Sequence, residues 1–503
     1  MTIARAARRR PYTPDRKHAG VIPIENVEIT PPARRIERGI TMNLKNSNRP
    51  NIILIITDQQ RFDSFAFTPN LDRMKAEGAC CTNVFCAAPS CVPSRFSFFN
   101  GLYPHGGNVY TNGHGWTHSW VESLRGAGYC CVNAGKMHTV PYDADCGFHQ
   151  RFVVENKDRP RQNIERRLFD EWDKFLLFNG QEKPGRDSYK KNYPSYEEAL
   201  GAYEWPLEER FHPDVFTGNM ALKIIGEYEP EPDRPLFLQI GFPGPHPPYD
   251  PPQRYIDMYA DAELPLPNVT EEELRCQPPV HDIYRTEMIT GNHDAIRWQK
   301  RPSRGALQRL RRHYAANMTL IDEKVGQIMD ALQEKGLLEN SVVMFTSDHG
   351  DCTGDHGHIQ KWTMYDEILR VPMIIRAPGR IKPGTKHTAL AQQMDAADLL
   401  LDYAQIKKPA WDAEPLDLAG NTGRKYIFAE HGRDNVWHGA DFMVAARSER
   451  HKIVLYRGET RGELYDLASD PGEKTNLWDE PEAEKIKIEM TEVVRQFNPE
   501  SVF

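Results

Sequence analysis

Four short apolar runs recur along the chain, and each ends in charged or imidazole side chains. The first is "NIILIITD" (51–58), followed by "YCCVNAGKMH" (129–138), "PLFLQIGFPGPH" (235–246) and "SVVMFTSDHGD" (341–351). Continuous runs of β-branched residues and leucine suit strands that are buried on both faces of a mostly parallel sheet. The runs therefore predict the central sheet of an α/β fold.

Apolar residues at helical spacing lie between these runs. Before the fourth run, apolar residues recur at steps of three, four or seven: Leu307, Leu310, Tyr314, Ile321, Val325, Ile328 and Leu332. This spacing places one apolar stripe along a helix, and Gly336 supplies a C-terminal stop. Strands that alternate with helices indicate a sheet with helices on both faces.

The last fifth of the chain has a different pattern. "KYIFAEHG", "DFMVAARSE", "HKIVLYRGE" and "GELYDL" are short strand candidates separated by turn residues, which predicts a small antiparallel sheet. The Pro-rich stretch 406–423 is the expected connector. We therefore expect a large α/β domain over 50–412 and a smaller C-terminal domain over 413–503.

Residues 1–49 are rich in arginine and proline and precede the first apolar run. We expect them to form an irregular extension, and Met42 is an alternative start of translation. The apolar segment of a secretory signal is not legible there, and the sequence has no run of about 18 apolar residues. These features predict a cytoplasmic protein without a membrane segment.

The charge balance limits the class of partner. Lys and Arg number 63 against 71 Asp and Glu, for a net charge of -8. Such a chain offers no strongly basic field to nucleic acid. A small polar substrate or a metal ion is the expected partner.

Polar residues that could carry chemistry follow the predicted strands. Ligands of α/β sheets gather at the carboxyl ends of the strands, so we expect these residues to converge on one site. They are Asp58, Lys136, His138, His246, Asp348 and His349.

Two of these residues, Asp58 and Asp348, could bring two carboxylates to one divalent cation. Oxygen-rich sites favour Ca²⁺, Mg²⁺ or Mn²⁺, and the imidazole of His349 shifts the preference toward Mn²⁺. The alternative is that each aspartate only caps the helix that follows it.

The other polar residues could act on an anion near that cation. Lys136 offers a positive charge, and His138 and His246 offer proton transfer near neutral pH. A lone histidine near a loop is otherwise a surface or hydrogen-bonded residue.

Cys91 lies in the stretch "CVPSR". By itself it could be a thiolate nucleophile activated by Arg95 or by a helix N-terminus. The alternative is a buried cysteine at the start of a helix, and a Cys-His-Asn triad of the protease type is not legible.

"CVPSR" resembles the C-x-P-S-R signature of the type I sulfatases of the alkaline phosphatase superfamily, in which the cysteine is oxidised to formylglycine. Further segments match that family in its order, from about residue 50 to about 478. They are "RPNIILIITDQQRFDSF", "TPNLDRMKAEGACCTNVFC", "GKMH", "GPHPPY", "SDHGDCTGDHGHIQKWTMYDEILRVPMIIR" and "ELYDLASDPGEKTNL".

The resemblance implies an alkaline-phosphatase-like α/β/α sandwich with a mostly parallel central sheet and a smaller C-terminal domain with an antiparallel sheet. It also implies one Ca²⁺ or Mn²⁺ ion. The implied ligands are Asp58, Gln59, the formylglycine made from Cys91, Asp348 and His349.

The first metal position departs from many sulfatases, which carry two successive aspartates where this chain has Asp58 and Gln59. This pair, together with Asp348 and His349, is more similar to the choline-sulfatase and phosphonate monoester hydrolase branch. Gln59 could still bind the metal through its amide oxygen, with less negative charge.

The resemblance also implies a mechanism. A hydroxyl of the formylglycine hydrate attacks sulfur in line, while the metal, Lys136, Lys361 and Arg95 neutralise the developing charge. His246 with Lys361 assists the leaving alcohol. His138 then removes a proton from the second hydroxyl, which expels sulfate and restores the aldehyde.

Three functions are compatible with these residues. The first is hydrolysis of a small-molecule or sugar sulfate ester to an alcohol and inorganic sulfate, after a maturation enzyme has converted Cys91. The second is hydrolysis of a phosphonate monoester or phosphodiester at the same site. The third is a non-catalytic metal-binding homologue, and self-association into a homo-oligomer stays open.

Substrate identity is expected to depend on the irregular segments 155–215 and 262–305. Loops of this kind shape pockets on a rigid scaffold. Aromatic and imidazole candidates there, each of which also fits a structural role, are Trp205, His281, Tyr284, His293 and Trp298.

Overall fold

A computed structural model describes residues 49–155, 157, 170–231, 233–291, 293–437 and 439–502. The predicted extension over residues 1–49 lies, apart from Arg49, outside the described residues. Within the described part of the chain, no helix has both the length and the apolar character needed to cross a bilayer.

Nine of the described strands form one large sheet. They are β1 (Asn51–Asp58), β2 (Ala79–Phe85), β3 (Cys130–Gly135), β4 (Gln150–Val153), β5 (Leu236–Pro245), β6 (Ser341–Ser347), β7 (Arg370–Arg376), β8 (Thr385–His387) and β9 (Ala391–Gln392). Their order is β4-β3-β5-β1-β6-β7-β2-β8, and β9 pairs with β2. Strand β7 runs antiparallel to β6 and β2, whereas the other pairings are parallel. The mostly parallel sheet is confirmed.

Strand β1 lies inside the sheet between β5 and β6. All eight of its residues are buried. Successive side chains of a strand point to opposite faces, so burial of every residue means that both faces of the sheet are covered. This is the arrangement that the first apolar run predicts.

The described part of the chain also contains fourteen α-helices. Their bounds are Pro69–Glu77, Cys91–Asn100, Pro104–Gly107, Val121–Gly126, Glu171–Phe178, Arg186–Asn192, Pro213–Glu227, Gln253–Asp257, Glu271–Cys276, Pro279–Thr290, Arg304–Glu334, Asp366–Leu369, Asp395–Tyr403 and Glu484–Phe497. The helix Arg304–Glu334 packs on Pro213–Glu227 and on β5. Its predicted stripe is buried from Leu310 to Leu332, while Leu307 at its start is partly buried. The chain leaves the helix through Gly336, whose φ is 72°.

A second sheet follows near the C-terminus. Strands β10 (Ile427–Gly432), β11 (Phe442–Arg447), β12 (His451–Tyr456) and β13 (Glu463–Asp466) pair antiparallel in chain order. The helix Glu484–Phe497 packs on this sheet through apolar residues that include Met490 and Val494. The predicted small antiparallel sheet is therefore confirmed, while the domain boundary between residues 412 and 413 stays a prediction.

Candidate active site

The order of the strands brings the predicted site residues to one edge of the large sheet. Strands β3, β5, β1 and β6 are successive neighbours and run parallel. Asp58 at the end of β1 is paired with Pro245 at the end of β5. The backbone N–H of Asp348, just past β6, donates to the carbonyl of Thr57 at 3.1 Å. Four carboxyl ends therefore meet at one place, as expected for a ligand site in an α/β sheet.

Four of the predicted metal ligands form one buried cluster. Asp58, Cys91, Asp348 and His349 each offer a ligand atom, and these atoms lie within 4.8 Å of one another. The Sγ atom of Cys91 is 3.7 Å from Asp58 Oδ1 and 3.3 Å from His349 Nε2. Two carboxylates, an imidazole and the side chain of residue 91 are thus close enough to share one divalent cation.

The ring orientation of His349 suits a metal ligand. Its Nδ1 atom is 2.9 Å from the carbonyl oxygen of Gly350. A carbonyl can only accept a hydrogen bond, so Nδ1 carries a hydrogen and Nε2 is the nitrogen that faces Cys91. Metal-binding histidines are usually oriented by such a bond from the second ring nitrogen.

Cys91 is the first residue of the helix Cys91–Asn100, as the alternative interpretation of the sequence predicts. The N–H of Val92 donates to the side-chain oxygen of Asn112 at 2.9 Å. The hydroxyl of Ser94 donates to the backbone carbonyl of Asp348. These bonds fix the first turn of the helix against the strand ends and point Cys91 at the cluster.

Arg95, one turn later, joins the two carboxylates of the cluster. Its Nε donates to Asp348 Oδ2 at 2.8 Å, and its Nη2 donates to Asp58 Oδ2 at 3.2 Å. Its Nη1 donates to the backbone carbonyl of Lys136 at 3.0 Å. The buried guanidinium therefore holds three strand ends and the helix of Cys91 in one arrangement.

Two buried lysines complete the cluster. Lys136 Nζ lies 2.5 Å from Asp58 Oδ2, and Lys361 Nζ donates to Cys91 Sγ at 2.9 Å. The backbone carbonyl of Lys361 accepts a hydrogen bond from Tyr284 at 2.7 Å. Lys361 lies in the long loop after β6, far from Cys91 in sequence, so only the folded chain brings the two residues together.

The charges of the cluster shift the pKa values of its acids. Burial alone would raise the pKa of Asp58, but Lys136, followed by His246 and Lys361, outweighs it and holds that pKa well below its usual range. Burial and Asp58 would also raise the pKa of the Cys91 thiol, but Lys361 and Lys136 bring it below its ordinary value. The cluster is therefore an environment that favours negative charge on residue 91 and on a bound anion.

His246 follows β5 and is buried with a fixed ring. Its Nδ1 atom is 2.7 Å from the carbonyl oxygen of Pro247 and so carries the hydrogen, which leaves Nε2 for proton exchange. Nε2 lies 3.8 Å from Asp294 Oδ2. Burial and then the positive charge of Lys361 hold the pKa of His246 well below its usual value, whereas Asp294 acts in the opposite direction.

His138 lies three residues beyond β3 and is buried. Its backbone has a φ of 58°, in the left-handed region. Its N–H donates to Glu155 Oε1 at 3.1 Å, which holds the backbone in this unusual conformation. The role of His138 in proton transfer stays a prediction.

Gln59 also has a left-handed backbone, with a φ of 71°. Its N–H donates to Asp348 Oδ1 at 3.0 Å, and its Nε2 donates to Asp351 Oδ2 at 2.7 Å. Its Oε1 is buried and has no hydrogen-bond partner among the described residues. A buried amide oxygen without a partner, beside two acidic ligands, fits an additional metal ligand.

Two acidic residues near the cluster were missed from the sequence. Asp351 lies two positions after His349, and this spacing was the available signal. Asp294 lies within the segment 262–305, which contains several other acidic residues, so the sequence gave no signal for this one. Gln360 joins them, because its backbone N–H donates to Asp351 at 2.9 Å and its Nε2 donates to Asp294 at 3.1 Å.

The aromatic and imidazole candidates in the two variable segments have mostly structural contacts. The indole of Trp205 donates to the carbonyl of Glu208, and Trp298 packs edge to face on Tyr284. Further contacts join His281 to Glu463 and His293 to Glu287. Of this set, Tyr284 touches the site, through its bond to the Lys361 carbonyl.

Comparison with known proteins agrees with this geometry. The model of the family described as "Sulfatase" matches residues 50–406. The chain belongs to the sulfatase family. A second model, described as "N-sulphoglucosamine sulphohydrolase, C-terminal", matches residues 354–500 of this sulfatase.

Individual relatives cover most of the sulfatase chain. An arylsulfatase of Clostridium perfringens is 31% identical over 458 residues, which cover 85% of this chain and 90% of the relative. A choline-sulfatase of Rhizobium meliloti is 29% identical over 455 residues, or 86% and 83% of the two chains. The phosphonate monoester hydrolase of Agrobacterium radiobacter has the same fold, with a TM-score of 0.71, 22% identity and coverage of 90% and 96%. This sulfatase is thus a sulfuric ester hydrolase of the alkaline phosphatase superfamily.

Proposed function

We propose that this sulfatase hydrolyses the sulfate ester of a small molecule or a sugar, with residue 91 as formylglycine and with one bound Ca²⁺ or Mn²⁺ ion. The observation that carries the proposal is the position of Cys91. Its sulfur is in reach of Asp58, His349 and Lys361 at the edge of the sheet. An oxygen nucleophile formed at this position would therefore lie beside both the metal ligands and a cation.

The proposed metal site consists of Asp58, Gln59, Asp348 and His349 together with residue 91. The donor set is oxygen-rich with one imidazole, which suits Ca²⁺ or Mn²⁺. When bound, the ion supplies positive charge to the sulfate oxygens, and the hydrate of formylglycine supplies the attacking hydroxyl.

The cations of the site would bind the sulfate group. Arg95 and Lys136 pair with the carboxylates of Asp58 and Asp348, and Lys361 lies against the side chain of residue 91. A sulfate monoester carries one negative charge, which spreads over more oxygens as the ester bond breaks. Lys361 is next to residue 91 and so is placed to contact a sulfate oxygen as this charge develops.

Proton transfer is assigned to the two histidines. His246 has its Nδ1 hydrogen committed to Pro247, so its Nε2 is the atom that would deliver a proton to the leaving alcohol. His138 would take a proton from the hydroxyl at residue 91 in the second half of the reaction. That assignment rests on the resemblance of "GKMH" to the corresponding family block.

Two measurements test this proposal. Mass spectrometry of the peptide that contains Cys91, from cells with a working maturation enzyme, should find the aldehyde in place of the thiol. The protein should also release sulfate from an aryl sulfate. Detection of the thiol alone, with no turnover, would instead support a non-catalytic metal-binding protein.

A second candidate is hydrolysis of a phosphonate monoester or phosphodiester. Gln59 favours this second candidate, because its neutral amide stands where many sulfatases carry a carboxylate. The site is therefore less negative, and a less negative site tolerates other tetrahedral anions. Values of kcat/KM for p-nitrophenyl sulfate and p-nitrophenyl phenylphosphonate, measured on the same sample, decide between the two. A higher value for the phosphonate would reverse our order.

A further inference from the structure

We propose that Asp351 is a positioning residue that sets the orientation of the Gln59 side-chain amide, so that its oxygen and not its NH₂ group faces the metal. This inference rests on the metal site of the proposed function. It assigns a role to a residue outside the cluster of Asp58, Cys91, Asp348 and His349.

The hydrogen bonds of Asp351 decide the orientation. Its Oδ2 accepts from Gln59 Nε2 at 2.7 Å and from the Tyr249 hydroxyl at 2.5 Å. Its Oδ1 accepts from the backbone N–H groups of Thr353 at 2.8 Å and Gln360 at 2.9 Å. Both oxygens of the carboxylate therefore meet donors. An ionised carboxylate can only accept, so the amide of Gln59 must present its NH₂ group to Asp351.

The other end of the same amide is Oε1, which is buried and has no hydrogen-bond partner among the described residues. Buried amide oxygens are normally paired. Gln59 directly follows the ligand Asp58, and its N–H bonds the ligand Asp348. The unpaired oxygen thus belongs to a residue that is held between two metal ligands, and a cation is the partner that it lacks.

The need for such a residue follows from the chemistry of glutamine. An aspartate at this position would offer an oxygen to the metal in either of the two orientations of its carboxylate, because its two oxygens are equivalent. The amide of Gln59 has two different ends. Turned by 180°, it would present two N–H groups to a cation, which removes a ligand and adds repulsion. A fixed acceptor on the far side prevents this.

Asp351→Asn is the direct test, because it changes the polarity of one contact and almost no volume. The N–H groups of Thr353 and Gln360 hold an acceptor at the Oδ1 position, so the new NH₂ group must take the place of Oδ2. Gln59 must then turn its oxygen toward residue 351 and its NH₂ group toward the metal site. We expect Mn²⁺ and Ca²⁺, titrated separately into chelator-treated protein by calorimetry, to bind roughly 10- to 100-fold more weakly.

The double variant Gln59→Glu with Asp351→Asn separates orientation from structural damage. Here the NH₂ group of residue 351 donates to one oxygen of the glutamate, and the other oxygen faces the metal. Affinity for both ions should return to the wild-type value or exceed it. Tyr249→Phe is the matched control, since it removes a bond from the same oxygen and leaves the polarity intact; it should change affinity by less than about threefold.

The inference is overturned if Asp351→Asn binds both ions as tightly as the wild type, or if the double variant stays as weak as Asp351→Asn. Loss of folding in both variants, seen in thermal unfolding of metal-free protein, would also overturn it by showing a purely structural role. Failure of the wild type to bind either ion is a different result, because it would remove the proposed metal site itself.

Discussion

The Lys361 ammonium lies 2.9 Å from the sulfur of Cys91, although 270 residues separate the two in sequence. Both side chains are buried. Burial would lower the pKa of Lys361, but the negative charge at Cys91 and Asp58 raises it above its ordinary value. Lys361 therefore carries a positive charge near neutral pH.

Lys361→Ala should lower kcat/KM for an aryl sulfate by about 10²- to 10³-fold, because it removes a charge next to the developing anion. The measurement is a steady-state assay with p-nitrophenyl sulfate. Lys386→Ala, which removes an exposed lysine on β8, is the control and should be neutral. Equal rates for Lys361→Ala and the wild type would exclude a role in sulfate binding.

Cys91→Ala should reduce turnover by at least about a thousandfold, because it removes the precursor of the nucleophile. The fold should persist, as judged by circular dichroism. Cys131→Ala is a matched control: this cysteine is also buried, and burial raises the pKa of its thiol to about 12, so it is inert. Full activity of Cys91→Ala would show that residue 91 is not the nucleophile.

Asp294→Asn should lower kcat/KM most for substrates whose leaving group needs a proton from His246. Asp294 works against the burial and the Lys361 charge that lower the pKa of His246, so its removal lowers that pKa further. A general acid is active only while protonated. The fall in kcat/KM with rising pH should therefore begin at lower pH, with a loss of about tenfold near pH 7 for an alkyl sulfate.

A good leaving group needs no such proton, so p-nitrophenyl sulfate should be affected much less by Asp294→Asn. The exposed Asp282 on the helix Pro279–Thr290 offers a control in Asp282→Asn, which should leave both pH profiles unchanged. An equal loss on both substrates at every pH would mean that Asp294 does not act through His246.

Removal of the metal should lower both activity and stability. Chelation is expected to abolish turnover, and added Mn²⁺ or Ca²⁺ should restore it. An ion present at 100 times its Kd adds about 2.7 kcal/mol to the free energy of unfolding, which differential scanning calorimetry detects as a higher Tm. His349→Ala should lack this shift. Unchanged activity and Tm in chelated protein would argue against a metal site.

Gly135→Ala should destabilise the end of β3, which Lys136 directly follows. Gly135 has a φ of 101°, and a Cβ there would lie 2.1 Å from the carbonyl oxygen of Gly241. That oxygen also accepts the N–H of Lys136 at 2.8 Å. We expect a loss of about 3 kcal/mol in the free energy of unfolding, measured in urea.

The matched control for Gly135→Ala is Gly126→Ala, where an added Cβ meets no atom within 4 Å. It should leave stability unchanged or raise it slightly. Equal stability of the two variants would show that the strand end adapts to a side chain.

Much of this fold could be predicted from local pattern. The run at 51–58 coincides with β1, the predicted stripe lies on the helix Arg304–Glu334, and the four C-terminal candidates form one antiparallel sheet. These elements could be predicted because each kind of burial leaves its own pattern of apolar residues along the sequence. A strand buried on both faces is a continuous apolar run, a half-buried helix has one apolar stripe, and an antiparallel meander has short strands between turn residues. Asp58, Asp348 and His349 could be proposed as ligands because strand ends of a parallel sheet share one edge.

Other parts of the site were decided by tertiary structure alone. Nothing in the sequence shows that β5 and β6 flank β1, that Asp294 lies 3.8 Å from His246, or that Asp351 accepts from Gln59. The elements that form and the side chains at their ends follow from the spacing of neighbouring residues, so both could be predicted from the sequence. Only the fold determines which atoms of distant loops meet, because hydrogen bonds depend on positions in space. These contacts in turn decide which way an amide group points and which ring nitrogen of a histidine carries the hydrogen.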